Sequence, residues 1–149
     1  MVETAAGQTD LTSMGKKRHN DLISAIIKVL CEDDRILFAY LYGSTVSGSK
    51  GNDIDIAVYS KVPEDPHQLS ADLKIALHQE TGLSPDAFDI RILNDLDEHA
   101  DVFGLLYLKN VLEGGRILVD KEPDVRTDFL ERYGLRFREC EGFMQEVLA

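Results

Sequence analysis

Apolar residues recur along this chain at two spacings, and the spacings divide it into elements. From Lys16, the residues Leu22, Ile23, Ile26, Ile27 and Leu30 return at helical intervals, which predicts a helix to about Cys31. The polar run "EDDR" interrupts it. Ile36–Tyr42 (ILFAYLY) is continuously apolar and aromatic and reads as a buried strand. A glycine- and serine-rich stretch follows, then a second strand over roughly Ile54 to Tyr59. Pro63 and Pro66 end that strand and open a helix from about Gln68 to Gln79, with Leu69, Leu73, Ile75, Ala76 and Leu77 offered to the core. Ala87–Leu93 (AFDIRIL) alternates, with Phe88, Ile90 and Ile92 on one face and Asp89 and Arg91 on the other. A helix is predicted from about Leu96 to Leu112, stopped by Gly114 and Gly115. "RILVD" is a short strand. From Val125 the tail carries one stripe of Val125, Phe129, Tyr133, Phe137, Cys140, Met144 and Leu148, as an amphipathic helix does. Residues 1–15 are small and polar without periodicity and are expected to form a flexible leader, leaving 16–149 as one domain. This order predicts an α/β (α+β) fold, a small mixed sheet packed by helices.

Charge and composition narrow the function classes. The formal net charge is −11 over 149 residues, which argues against direct binding of long nucleic acid through phosphate contacts. A single nucleotide remains compatible, because a bound cation can supply the missing positive charge. No stretch is long and apolar enough for a membrane span or a secretory signal, so the expected location is the cytoplasm. Cys31 and Cys140 lie far apart in helix-like patterns and read as free buried thiols of a reducing compartment. His19, His67, His78 and His99 show no metal-ligand spacing and read as surface or helix-end residues.

The exception to this orderly pattern is "LYGSTVSGSKGNDIDIAVYS", Leu41 to Ser60. Asp53 and Asp55 flank Ile54 at the start of a strand that is otherwise core. Alternation puts both carboxylates on one side of the sheet and Ile54, Ile56 and Val58 on the other. Two close carboxylates repel, and a divalent cation relieves that repulsion. Oxygen-only donors favour Mg2+ or Mn2+, with substrate phosphates completing the shell. Asp89 alternates in the same sense on a later strand. If the two strands are neighbours, three carboxylates converge, enough to hold two metals. Gly43, Ser44 and the small residues after them (Ser47, Gly48, Ser49, Gly51) let backbone N–H groups approach a phosphate. Solvated strand ends often carry Asp-x-Asp for no chemical reason, so the weight rests on its combination with Gly43-Ser44 and Asp89. Arg91, on the face of Asp89, is open to an ion pair or to a phosphate. Lys61 reads as a surface lysine. Tyr40 and Tyr42 flank the loop, where a base could stack on them, but strand tyrosines usually pack, and they read as packing residues.

Gly43-Ser44, Gly48, Asp53-Ile54-Asp55 and the later Asp89 together resemble the DNA polymerase beta nucleotidyltransferase superfamily. The small size, and the order of Asp strand, helix, "EGGRILV" and C-terminal helix, is similar to the minimal nucleotidyltransferases known as the antitoxin halves of HEPN–MNT toxin–antitoxin pairs. The likeness spans about residues 16–140. It implies transfer of AMP from ATP to a hydroxyl, most simply a tyrosine of a HEPN RNase toxin. It also implies Asp53, Asp55 and Asp89 as metal-binding and catalytic residues, and Gly43 and Ser44 as nucleotide-phosphate ligands. The chain departs from the subgroup in a shorter interval between Ser44 and Asp53 and in having Thr45-Val46-Ser47 where an arginine often follows Gly-Ser; Lys50 is the basic residue of this loop. A non-catalytic antitoxin that works by binding, a small-molecule nucleotidyltransferase of the aminoglycoside-modifying kind and a nucleic-acid polymerase are the rival readings.

Overall fold

The computed structural model describes residues 3–43, 53–61, 65–94, 96 and 100–148, with the side chains of 3–17 and of a few residues near the C-terminus left aside. The predicted positions Ser44 to Asn52, Pro63 and His99 lie outside the described residues, as do the side chains of Met144 and Leu148.

The elements run α1 (Glu3–Glu32), β1 (Ile36–Tyr42), β2 (Ile54–Ser60), α2 (Pro66–Thr81), a single 3-10 turn (Pro85–Ala87), β3 (Phe88–Ile92), α3 (Val102–Gly114), β4 (Arg116–Asp120) and α4 (Pro123–Leu148). The strands form one sheet in the order β3-β2-β1-β4. β1 pairs antiparallel with β2 and with β4, whereas β2 and β3 are parallel and joined through α2. A parallel pair needs such a crossover, and a helix long enough to span the sheet supplies it.

Each face of the sheet takes its own helices, because side chains alternate along the strands. Ile54, Ile56, Val58, Ala39, Leu41, Phe88 and Ile90 pack with Ile23, Ile26 and Leu30 of α1 and Leu69, Leu73 and Leu77 of α2. On the other face Phe38, Tyr40, Ala57 and Tyr59 meet Leu108 and Val111 of α3 and Phe129 of α4. Phe38 stacks on Tyr59 with ring centroids 4.8 Å apart and meets Phe129 edge-on at 5.6 Å. Val125, Phe129, Tyr133, Phe137 and Cys140 of the α4 stripe all reach this side of the molecule.

Three boundaries differ from the periodicity. Backbone helix extends to Glu3, so α1 takes in most of the stretch expected to be a flexible leader. Helix α3 begins at Val102, not near Leu96, because the Asp101 side chain accepts from the Gly104 N–H at 2.9 Å and caps it there. On α2 the N-cap is Asp65, whose carboxylate accepts from the N–H groups of His67 and Gln68. Ile75 is 53% exposed, so the helix buries Leu69, Leu73 and Leu77 and turns Ile75 to solvent. The cysteines are free, but Cys31 is exposed, not buried.

Candidate functional site

The carboxylates stand at one end of the β1–β2–β3 strip, on the α3 face. Strand β2 enters the sheet at Ile54, immediately after Asp53. Asp55 is paired in register with Tyr42 of β1 on one side and with Asp89 of β3 on the other. The next pair inward is Ala57 with Arg91. Alternation and parallel register together set Asp55 and Asp89 side by side on one face.

Asp55 and Asp89 are direct register neighbours across the parallel β2–β3 pair, and each carboxyl group bears on the other. Burial raises Asp55 above the ordinary carboxylate pKa, and the charges of Asp89 and Asp53 push the same way, while Arg91 opposes them. Asp53 is exposed at the mouth, close enough for Asp55 to feel its charge. Among the described residues no group of three or more His, Cys, Asp or Glu side chains is arranged to hold one ion. The fold therefore brings Asp55 and Asp89 into contact and leaves Asp53 at the rim.

Gly43 ends β1 beside this pair. Its φ is +76°, and a Cβ there would come 2.5 Å from Asp55 Oδ2. Only glycine takes this backbone conformation at no steric cost, and only glycine leaves the space next to Asp55 open. Ser44, the predicted phosphate donor, lies outside the described residues.

Three further side chains close the inner edge. The Tyr107 hydroxyl, from α3, donates to the Tyr42 hydroxyl at 3.0 Å, and their rings meet edge-on at 5.6 Å. The Arg91 guanidinium lies 5.0 Å from the centre of the Tyr107 ring. Burial holds both phenols protonated by raising their pKa values, and the Asp55 and Asp89 charges add to that for Tyr42. Alternation finds Arg91 on the carboxylate face, but its partner comes from another element, and Tyr107 carries no local signal in the sequence. Tyr40, deeper in the same face, is buried and accepts from Arg126 at 3.5 Å, a packing role as expected. Lys61 is exposed.

The pair suits a small divalent cation. Its donors are all oxygen, and it holds two like charges together in partial burial, where a cation is the economical compensation. Asp55 and Asp89 would contact the ion, with Asp53 reaching in from the rim.

The family model described as polymerase beta, nucleotidyltransferase matches residues 24–124, more than half of the chain and all four strands. No curated protein matches. Among solved structures, the chain is similar to a mutant of the toxin–antitoxin MntA–HpeT, with 20% identity, a TM-score of 0.57 and coverage of 85% of this chain and 98% of that one. A toxin–antitoxin with AMP-PNP gives 23% identity, a TM-score of 0.57 and coverage of 85% and 98%. A tri-AMPylated Shewanella oneidensis HEPN toxin in complex with MNT antitoxin gives 22% identity, a TM-score of 0.54 and coverage of 91% and 99%. At these identities the likeness is one of fold. With its α+β architecture, its single mixed sheet and the match across that sheet, the chain belongs to the polymerase beta nucleotidyltransferase family.

Proposed function

We propose that this chain, through the unit 16–149, transfers AMP from ATP to the hydroxyl of a tyrosine on a HEPN-domain toxin and thereby acts as its antitoxin. The observation that carries the reading is the pairing of Asp55 with Asp89 across a parallel β2–β3 register, next to a glycine that leaves the space beside Asp55 open. Family membership supports nucleotidyl transfer. Similarity of fold to toxin–antitoxin structures, one with AMP-PNP and one with an AMPylated toxin, supports ATP and the partner class.

In this reading the acceptor oxygen attacks the α-phosphorus of ATP. The bond from that oxygen to phosphorus forms, the bond from phosphorus to the bridging oxygen breaks, and pyrophosphate leaves. Asp89 stands beside the reacting centre and takes the proton of the acceptor hydroxyl, passing it to solvent. Asp53, Asp55 and Asp89 would hold Mg2+ or Mn2+, which would neutralise phosphate charge and polarise the transferred group. Gly43, which leaves the approach beside Asp55 open, and Ser44, next in the sequence, would receive the β- and γ-phosphates.

Incubation of the chain with ATP, Mg2+ and a HEPN-domain protein encoded beside it tests the proposal by intact mass. The expected result is an added AMP on the partner, located on a tyrosine by tandem mass spectrometry. It should disappear with the Asp53→Asn/Asp55→Asn double variant while that variant still binds the partner. Neutralisation of the partner by parent and double variant alike, with no mass change, favours the binding-only antitoxin and removes the catalytic reading.

A further inference from the structure

The carboxylate face carries a cation held by aromatic packing, on the side of the pair away from Gly43. Asp55 lies on β2, with β1 and Gly43 on one flank and β3 on the other. Arg91 is one alternation step beyond Asp89 on β3, in register with Ala57. Its guanidinium sits over the Tyr107 ring at 5.0 Å, and the Tyr107 hydroxyl is fixed on Tyr42 at 3.0 Å. Tyr42 in turn is the register partner of Asp55. Three elements, β1, β3 and α3, thus fix one exposed guanidinium beside the carboxylates.

An arginine over a ring keeps its N–H donors at the rim of the guanidinium, where a planar oxygen pair can meet them. It is also a restrained donor, which loses little freedom on binding. The residue suits an anion at the site, and its place says which anion. A nucleotide whose terminal phosphates lie toward Gly43, on the β1 flank, carries its α-phosphate over β2. Arg91, on the β3 flank, then faces the α-phosphate and not the leaving pyrophosphate.

We propose that Arg91, positioned by the Tyr107–Tyr42 pair, is the α-phosphate ligand of the site. This rests on the nucleotidyl-transfer reading above and adds to it a residue outside the carboxylate and glycine set. Negative charge on the non-bridging oxygens of the α-phosphate is what the enzyme must hold during transfer, and a guanidinium fixed in advance does so without rearrangement.

Two ligands separate the phosphates. AMP contains the α-phosphate, and pyrophosphate contains only what leaves. Each is titrated with Mg2+ into the parent chain and into Arg91→Gln, Arg91→Lys and Tyr107→Leu, with the thermal midpoint of each variant recorded. Loss of a charge-assisted pair predicts about tenfold or greater weakening of AMP in Arg91→Gln, with pyrophosphate within about twofold of the parent. Arg91→Lys should recover part of the loss, since it restores the charge without the fork, a rescue that lost packing alone would not give. Tyr107→Leu should weaken AMP although Arg91 is retained, because the guanidinium loses the ring that holds it. AMP affinity unchanged in Arg91→Gln, or a loss confined to pyrophosphate, overturns the assignment. The parent is also titrated with ATP and Mg2+; if it binds none of the three, the nucleotidyl-transfer reading itself falls, and the assignment with it.

Discussion

Asp55 is held where its charge is disfavoured. Burial and the neighbouring Asp89 and Asp53 raise its pKa above the unfolded value of 3.8. The sign follows from linkage: a raised carboxyl stabilises the fold below the unfolded pKa, and that contribution is lost as pH rises through the folded value. Asp55→Asn should therefore raise the thermal midpoint at neutral pH in metal-free buffer. The gap to the parent should close below about pH 4. Scanning calorimetry across this range checks it, and a lower midpoint at neutral pH would mark Asp55 as a structural residue. Asp33 behaves oppositely. The Arg35 side chain, donating to both of its oxygens, lowers its pKa, so its contribution is present above 3.8 and is lost as pH falls through the lowered value. Gly43→Ala combines a positive φ with a Cβ against Asp55 Oδ2. It should cost about 1–2 kcal/mol of stability and weaken ATP binding with Mg2+, both readable by melting the variant with and without nucleotide. The juxtaposition of Asp55 and Asp89 is legible in the sequence because alternation fixes the face and two adjacent strands fix the neighbour. The Arg91–Tyr107–Tyr42 arrangement is not legible, since no periodicity tells which helix residue will lie over a strand residue.

Strands are the elements that the hydrophobic pattern places best. Ile36–Tyr42 and Arg116–Asp120 match their predicted ranges because each is an apolar run bounded by charged or small residues. Helix starts fare worse, because a side-chain cap decides them and an apolar stripe does not. Leu96 extends the apparent periodicity of α3, yet the helix waits for Asp101. Gly115 is read correctly as the stop: its N–H bonds Val111 O at 2.8 Å, and the Leu41 and Val111 carbonyl oxygens crowd the place of any Cβ. The end of β2 hides a fastening with no sequence signature. Asn94 accepts the Ser60 N–H at 3.0 Å and donates to the Ser60 carbonyl at 2.7 Å, tying the strand to the chain beyond β3. Among the described residues Ser60 is a buried polar residue, 3% exposed. Asn94→Leu would leave both backbone groups without a partner. It should cost about 1–3 kcal/mol, measured by urea unfolding, whereas Asn94→Asp should restore only the acceptor half.

At the scale of the whole molecule, a net charge of −11 acts against compactness and against any anionic ligand. Two kinds of cation can relieve it, and they differ in a measurable way. A monovalent salt screens the entire surface and loses effect once the Debye length falls to about 8 Å at physiological ionic strength. A divalent ion held at the proposed carboxylate site would act at one place and stabilise the folded state in proportion to the logarithm of its concentration above Kd. The thermal midpoint should thus rise with NaCl and then flatten. Millimolar Mg2+ added at constant ionic strength should raise it further. The Asp53→Asn/Asp55→Asn double variant should keep the NaCl response, because it removes only two of the 27 acidic residues, and should lose the Mg2+ increment. The two responses separate the site from the surface that surrounds it. If Mg2+ stabilises parent and double variant by the same amount at matched ionic strength, its effect is diffuse, and the carboxylate pair at the head of β2 and β3 has no claim to be a metal site.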